Sequence, residues 1–441
     1  MAFISRFDVR VRVFLAVLLT WSFSHSLLAA PLGKKPLASK SPPGGEVTVE
    51  LAHALSGPAK TYIETMVNRF NNEQTGGRIH LRSFEGLSKP ALLNVTNAAH
   101  VRHWAANHAS FKPLYQAMRE AVQPPASGTW LQGLETGDLG GNRKPIALPI
   151  AFSTPVLFYD KKAFRRAGLN PEKPPQSWQE MQQVAGKLAE SGAICPYTTS
   201  WPAWIHIDNI SALSGVPVAD KTGTLRFNAL PQIRHLARLS AWYKAEFFKV
   251  FGSRDEADHH FARGECAMLT SQSSAYAYFQ TMPGLELGVA PLPHDEEVYD
   301  GRQHTLADGA ALWVGSGFSK AEYQLAVRFM RFWFSEDVQL GWAQAGSFIP
   351  MTPRLYQALA NKTGGQRASS EEKLLSVYSQ TKGDAGGIRI AGIEPLRAIV
   401  DEELNAVWAN RKPAMLALES AVTRGNALLK SQPALKRPML F

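Results

Sequence analysis

Cysteine is almost missing from this chain: Cys195 and Cys266 are the only two among 441 residues. Two cysteines so far apart supply no zinc-binding spacing and no CxxC redox motif, and they allow at most one intramolecular bridge. A disulfide and two buried thiols are both compatible with them. The GxSxG, HExxH and Walker patterns are also absent, which removes the usual sequence marks of serine hydrolases, zinc peptidases and P-loop nucleotidases. The stretch TGDLGGN at 136–142 has the glycines of a nucleotide loop without the strand-to-helix setting, and it reads as a plain loop. No dense Lys/Arg run interleaved with aromatics occurs, so nucleic acid is not an expected partner. The formal net charge is +10, but Arg6, Arg10, Arg12, Lys34, Lys35 and Lys40 against Asp8 supply half of it. The mildly basic remainder suits an anionic small ligand without requiring one.

What is present begins with three arginines ahead of an apolar run at 13–19, then polar residues from Thr20, then the small residues Ala29 and Ala30. That layout predicts a secretory signal over 1–30, cleaved near Ala30, because the run is well short of the roughly 20 residues that span a bilayer. No cysteine stands at the cleavage point to carry a lipid, so a soluble periplasmic location is expected. Residues 31–45, PLGKKPLASKSPPGG, have almost nothing to bury and read as a flexible leader. With 45% hydrophobic and 19% charged residues, the rest is globular and longer than one core usually organises, which predicts two lobes.

Period-2 alternation of Val47, Val49 and Leu51 predicts a strand, Ile63, Met66, Val67 and Phe70 the apolar face of a helix, and Ile79 and Leu81 a second strand. Strand, helix, strand in that order is the α/β pattern of a helix-flanked sheet. In KPIALPIAFSTPVLFYD the prolines and the Ser153-Thr154-Pro155 bend forbid one continuous ladder, so the chain should change direction there. A helix stopped by Gly168, a capped helix from Ser177 with Glu180 at its third position, buried strands from Cys266 and from Asp308, and a helix carrying Phe329, Met330 and Trp333 follow.

Several clusters have a functional and a plain reading. Asp255, Glu256, Asp258, His259 and His260 could ligate zinc, but on a helix adjacent side chains diverge by about 100°, so a solvated helix face is expected and no metal site is assigned. Trp201 and Trp204 are core tryptophans or a stacking wall suited to the C–H faces of a sugar or polyol. The SQSS stretch at 271–274 is an N-cap, or an anion site of hydroxyls and helix N–H groups. Arg397 is a salt-bridge partner of nearby acids, or a guanidinium aimed into a cleft to grip phosphate with two parallel hydrogen bonds. No spacing singles out a catalytic residue.

RFNNE, STPVLFYDKKAFRRAGLNPEKPPQSWQEM, GECAM, GAALWV and IRIAGIEPLRAIVDEELNAVW occur in that order across residues 46–430. In them the chain resembles the extracellular solute-binding proteins of bacterial ABC importers, most closely their glycerol-3-phosphate-binding group. The resemblance implies a two-lobed α/β periplasmic binding protein fold, each lobe a mixed sheet flanked by helices, with several hinge strands and a ligand cleft that closes by hinge motion. It implies lobe 1 from 46–152 and 308–350, and lobe 2 from 153–307 and the C-terminal helical part 351–441. Ser153, Gly309 and Arg397 stand where that group has ligand contacts, and Trp201 and Trp204 match its paired tryptophans. Elsewhere the chain departs. Ser88 replaces a tyrosine, Ala52 a tryptophan beside His53, and Gln272, with Ser273 next to it, a serine. Ser347 and Phe348 stand where a tyrosine is expected, and a cleft glutamate falls in a shortened region at 101–106.

The expected function is therefore capture of sn-glycerol 3-phosphate or a related glycerophosphodiester, and delivery to a membrane permease driven by a cytoplasmic ATPase. No cofactor is implied, and a monomer is expected. An oligosaccharide- or polyol-binding protein of the same fold is the alternative ligand reading. An exported hydrolase of phosphodiesters or sugars is the alternative of a different class, and a sensory binding protein a third.

Overall fold

The structure, a computed structural model, describes residues 46–84, 89–97, 101, 111–119, 147–220, 222–295, 305–363, 374, 377 and 393–431. The expected signal and leader, Ser88, the TGDLGGN loop and residues 102–106 lie outside this set.

β1 (Thr48–His53) buries Val49 and Leu51 and exposes Thr48 and Glu50, as the alternation requires. The helix Gly57–Glu73 follows and buries Ala59, Ile63, Val67 and Phe70, one stripe at i, i+4, i+8 and i+11. β2 (Arg78–Ser83) and β3 (Leu93–Thr96) then pair in parallel on either side of β1. Short β4 (Phe111–Lys112) and β5 (Leu148–Ser153) belong to the same sheet.

Thr154 alone separates β5 from β6 (Pro155–Asp160), and that single residue carries the chain from the first sheet to a second. A proline is tolerated as the first residue of a strand, where its missing N–H breaks no ladder. The second sheet continues with β7 (Cys195–Thr199), β8 (Phe248–Lys249), β9 (Cys266–Gln272) and β10 (Leu287–Pro291), in the spatial order β10-β6-β9-β7-β8. β11 (Asp308–Gly315) returns to the first sheet and pairs antiparallel with β3, β4 and β5.

The helices obey the same division. Lys320–Trp333 and Glu336–Gly346 complete the first core, where Phe329, Trp333 and Trp342 meet Phe70 and Val95. Ile393–Trp408 and Ala414–Ser431 complete the second, where Leu396, Val400 and Leu418 pack with Trp178, Leu236 and Trp242. Each sheet is thus covered by chain from distant parts of the sequence. Among the described residues no helix is long and apolar enough to cross a membrane.

Cys195 and Cys266 open the parallel neighbours β7 and β9 in register and are joined by a disulfide, which decides the pairing the sequence leaves open. Ser177 caps the helix Trp178–Glu190 by accepting from the Glu180 N–H. The Glu180 carboxylate reaches back to the Gln176 N–H, one residue earlier than a full capping box requires.

Candidate functional site

Five strands end at one place. A cavity of about 590 Å³ is lined by Ala54 just after β1, Val95 and Thr96 at the end of β3, Ser153 at the end of β5, Trp201 just after β7, and Gln272 at the end of β9. Both sheets therefore present carboxyl ends of strands to a common cleft, the usual ligand position in open α/β sheets. The two start residues of β11, Asp308 and Gly309, close it from the side where chain passes between the sheets.

Gly309 is needed there for steric reasons. Its φ is +154°, and a Cβ would stand 2.1 Å from the Ala151 carbonyl oxygen and 2.8 Å from Phe152 Cα, so only glycine lets β11 lie this close to β5.

The tryptophan wall is built by an irregular segment. Trp201 has φ +51°, the left-handed region that large side chains avoid. Its N–H donates to the Arg254 carbonyl at 2.9 Å, and the Arg254 guanidinium lies 5.5 Å from the ring centroid, within cation–π range. A π-helix, Trp204–Asn209, follows. Trp204 borders the cavity, and its indole N–H, like that of Trp201, is buried with no partner. Widened turns of this kind are common at functional sites because they rotate side chains out of α-helical phase. Asn209 at the far end donates to the Trp204 carbonyl (3.0 Å) and accepts from the Leu306 N–H (2.7 Å), which ties the tryptophan segment to the chain just ahead of β11.

Between these two residues Asp208 faces Arg397. Arg397 Nε donates to Asp208 Oδ2 at 3.0 Å, and Nη1 donates to Asp308 Oδ2. Both readings of Arg397 open from sequence thus hold together: it borders the cavity, and it is paired with acids. The acids differ in exposure: the Asp208 side chain is 6% exposed, that of Asp308 37%. Arg254 pairs more loosely with Asp401, at 3.4 Å.

On its other side the π-helix buries His206, whose Nδ1 is 3.0 Å from His235 Nε2 and whose Nε2 is 3.2 Å from the Tyr197 hydroxyl. Burial pushes His206 down to about 3 and His235 well below the usual histidine range, so both are neutral in the fold.

Of the site residues expected from sequence, Ser153, Trp201, Trp204, Gln272, Gly309, Phe348 and Arg397 line the cavity. Ser273 does not: it is buried beside the crossover, its hydroxyl accepting from the Thr154 N–H (3.1 Å) and its N–H donating to the Thr154 carbonyl (2.8 Å). Ser88 lies outside the described residues. β9 runs through Gln272, so of the SQSS stretch only Ser273 and Ser274 enter the 3-10 turn Ser273–Ala275 that leads into the short helix Tyr276–Phe279. Asp258 corrects the expectation of a solvated helix face. On the helix Glu256–Ala262 it turns inward, 5% exposed, and accepts from Ser200 Oγ at 2.6 Å, while Asp255, Glu256 and His259 stay at the surface. Among the described residues no group of three or more His, Cys, Asp or Glu side chains is placed to hold a metal ion.

Arg254 and Asp308 line the cavity without a sequence motif that singles them out, and Asp208 reaches the site through Arg397. Asp208 lies four and seven residues beyond the two tryptophans, which was the available signal, but the π-turn that aligns it has no sequence mark.

Comparison with known proteins supplies the lineage. The family described as bacterial extracellular solute-binding protein matches residues 68–365. The chain is 32% identical over 418 residues to the sn-glycerol-3-phosphate-binding periplasmic protein UgpB of Escherichia coli, spanning 87% of this chain and 92% of that one. It is 31% identical over 409 residues to the protein of the same name from Pectobacterium atrosepticum, spanning 86% and 90%. Among solved structures it is similar to UgpB from Mycobacterium tuberculosis in complex with glycerophosphocholine, with a TM-score of 0.71 at 16% identity over 88% of this chain and 100% of that one. A maltose-bound protein of T. maritima gives a TM-score of 0.70 at 15% identity over 87% and 100%. At such identities the structural likeness speaks for the two-lobed periplasmic binding fold alone.

Proposed function

This chain belongs to the bacterial extracellular solute-binding proteins, and on that premise we propose that it is the periplasmic capture component of an ABC importer. Its ligand in this reading is sn-glycerol 3-phosphate, the substance for which its 31–32% identical relatives are named, or a related glycerophosphodiester. It is exported by the signal at 1–30, works without a lipid anchor, and hands solute to a permease coupled to a cytoplasmic ATPase. Capture and release are the whole task. No bond of the solute is made or broken.

The observation that carries the ligand half of this reading is Arg397. Its guanidinium borders the cavity, is held in one orientation by the buried Asp208, and turns its Nη1 edge to the half-exposed Asp308. A phosphate oxygen entering the cleft takes over the Asp308 bond, with the planar fork already aligned. Trp201 and Trp204 then offer ring faces to the glycerol backbone, and Ser153 and Gln272 offer polar groups from the ends of β5 and β9. The same two tryptophans favour a second reading, an oligosaccharide or polyol, since stacking on C–H faces needs no phosphate.

Calorimetric titration of the exported chain with sn-glycerol 3-phosphate, glycerophosphocholine and a maltodextrin separates the two. Micromolar or tighter binding of a phosphate ligand, about 8 kcal/mol, with a loss of about a hundredfold in Arg397→Ala, is expected. Binding of maltodextrin alone would replace the first reading with the second.

A further inference from the structure

Among the described residues two guanidiniums border the cleft and both are committed to acids, Arg254 to Asp401 and Arg397 to Asp208 and Asp308. Among the described residues, two cavity-lining carboxyls stand apart from these ion pairs, exposed Asp255 and buried Asp258. Asp258 lines the same cavity, is 5% exposed, and is held in place by the Ser200 hydroxyl at 2.6 Å. Ser200 directly precedes Trp201, so the carboxyl is anchored to the segment that builds the tryptophan wall.

We propose that Asp258 contacts the solute and makes its capture pH-dependent: as a neutral carboxyl it donates a hydrogen bond to the ligand, and as a carboxylate it repels the phosphate. This rests on the phosphate-ligand reading above.

The groups around Asp258 agree with it. Burial is the main influence and pushes its pKa up to about 7, with the hydrogen bond from Ser200 opposing and the like charges of Asp255 and Glu256 adding. From its own helix Asp255, Glu256 and His259 stand near; from the preceding loop, Arg254; from the helix Tyr276–Phe279, Tyr278, whose ring meets His259 at 6.0 Å. From across the cavity come Arg397 and Asp308. His259, exposed on the same helix and beside the same cavity, supplies the control variant.

The probe is glycerophosphocholine, whose phosphodiester keeps one charge across the range while the monoester of sn-glycerol 3-phosphate does not. Wild-type affinity should fall about tenfold from pH 6 to pH 8, the limit reached when only the protonated carboxyl binds. Asp258→Asn should bind equally at both, near the wild-type value at pH 6, and His259→Gln should keep the slope. In case the variant does not fold, the wild type alone provides a second readout. Above pH 7 it should take up most of a proton per ligand, measured in two buffers of different ionisation enthalpy. A slope that survives in Asp258→Asn, or binding without proton uptake, overturns the inference and leaves the transport reading standing. If neither phosphate ligand binds the wild type at any pH, the transport reading fails and this inference falls with it.

Discussion

Exchanging Asp308 for asparagine should make the protein bind phosphate ligands more tightly, an unusual sign for a mutation inside a binding cleft. Arg397 is gripped from two sides, and the two acids differ in what they do. The Asp308 side chain is 37% exposed and its bond to Nη1 occupies the edge that a phosphate needs. A charge pair that open to water contributes about 1 kcal/mol, so freeing the edge should raise affinity about fivefold, and removing a like charge from the ligand's path acts in the same direction. The asparagine keeps an Oδ1 to accept from the Gly309 N–H, the bond Asp308 makes at 2.7 Å, so the start of β11 should hold.

Asp208 is the contrast, buried and 6% exposed. Asp208→Asn leaves a buried guanidinium short of its counter-charge, which costs about 3 kcal/mol of stability, whereas Asp308→Asn should shift stability by less than about 1 kcal/mol. Titration calorimetry with glycerophosphocholine reads the first effect, and thermal unfolding of both variants the second. Weaker binding by Asp308→Asn would refute the reasoning, since Asp308 would then be a partner of the ligand rather than its competitor.

Two further outcomes concern stability. His206, held down at about 3 by burial, and the similarly depressed His235 contribute stability that is complete above pH 6.5 and is lost as pH falls toward 3, because only the unfolded chain takes up their protons. Asp258, raised to about 7, runs the other way and gains stability as pH falls from 7 toward 3.8. Between pH 7 and 5 the shares of His206 and Asp258 are each about 2 kcal/mol. Asp258→Asn should therefore show a steeper loss of melting temperature over that interval than the wild type, and equal losses would contradict the assignment. Replacing both Cys195 and Cys266 by alanine opens a link across 71 residues, lowering stability by about 4 kcal/mol on chain-entropy grounds. Ligand affinity should be unchanged, because the bridge lies at the starts of β7 and β9 and the cleft at their ends; a change in affinity would mean that the bridge shapes the site.

Local pattern was sufficient for much of this molecule. Val49, Leu51, Ile63, Val67 and Phe70 announce the first strand and helix because the period that puts them on one face is set by the backbone within a turn or two. The break at Thr154 is legible because proline cannot continue a ladder. Of the seven cavity-lining residues, side-chain chemistry left Trp201, Trp204, Gln272 and Arg397 with two readings each, and resemblance placed these together with Ser153, Gly309 and Phe348 at one site. The disulfide was not legible, because only the register of β7 against β9 brings Cys195 to Cys266.

The sequence by itself determined the α/β alternation, the point where the chain leaves its first sheet, and the lineage that nominates Ser153, Trp201, Trp204, Gly309 and Arg397. Only the tertiary structure decided how the acids divide. Asp258 sits among the polar residues of a helix that reads as solvated, and it is buried because Ser200, 58 residues earlier, reaches it. Asp208 and Asp308 meet Arg397 across 189 and 89 residues, through a π-turn that has no periodic signature. A helix or strand period records only which face is covered. The charge of a cleft depends on which side chains from remote segments share it, and sheet topology sets that.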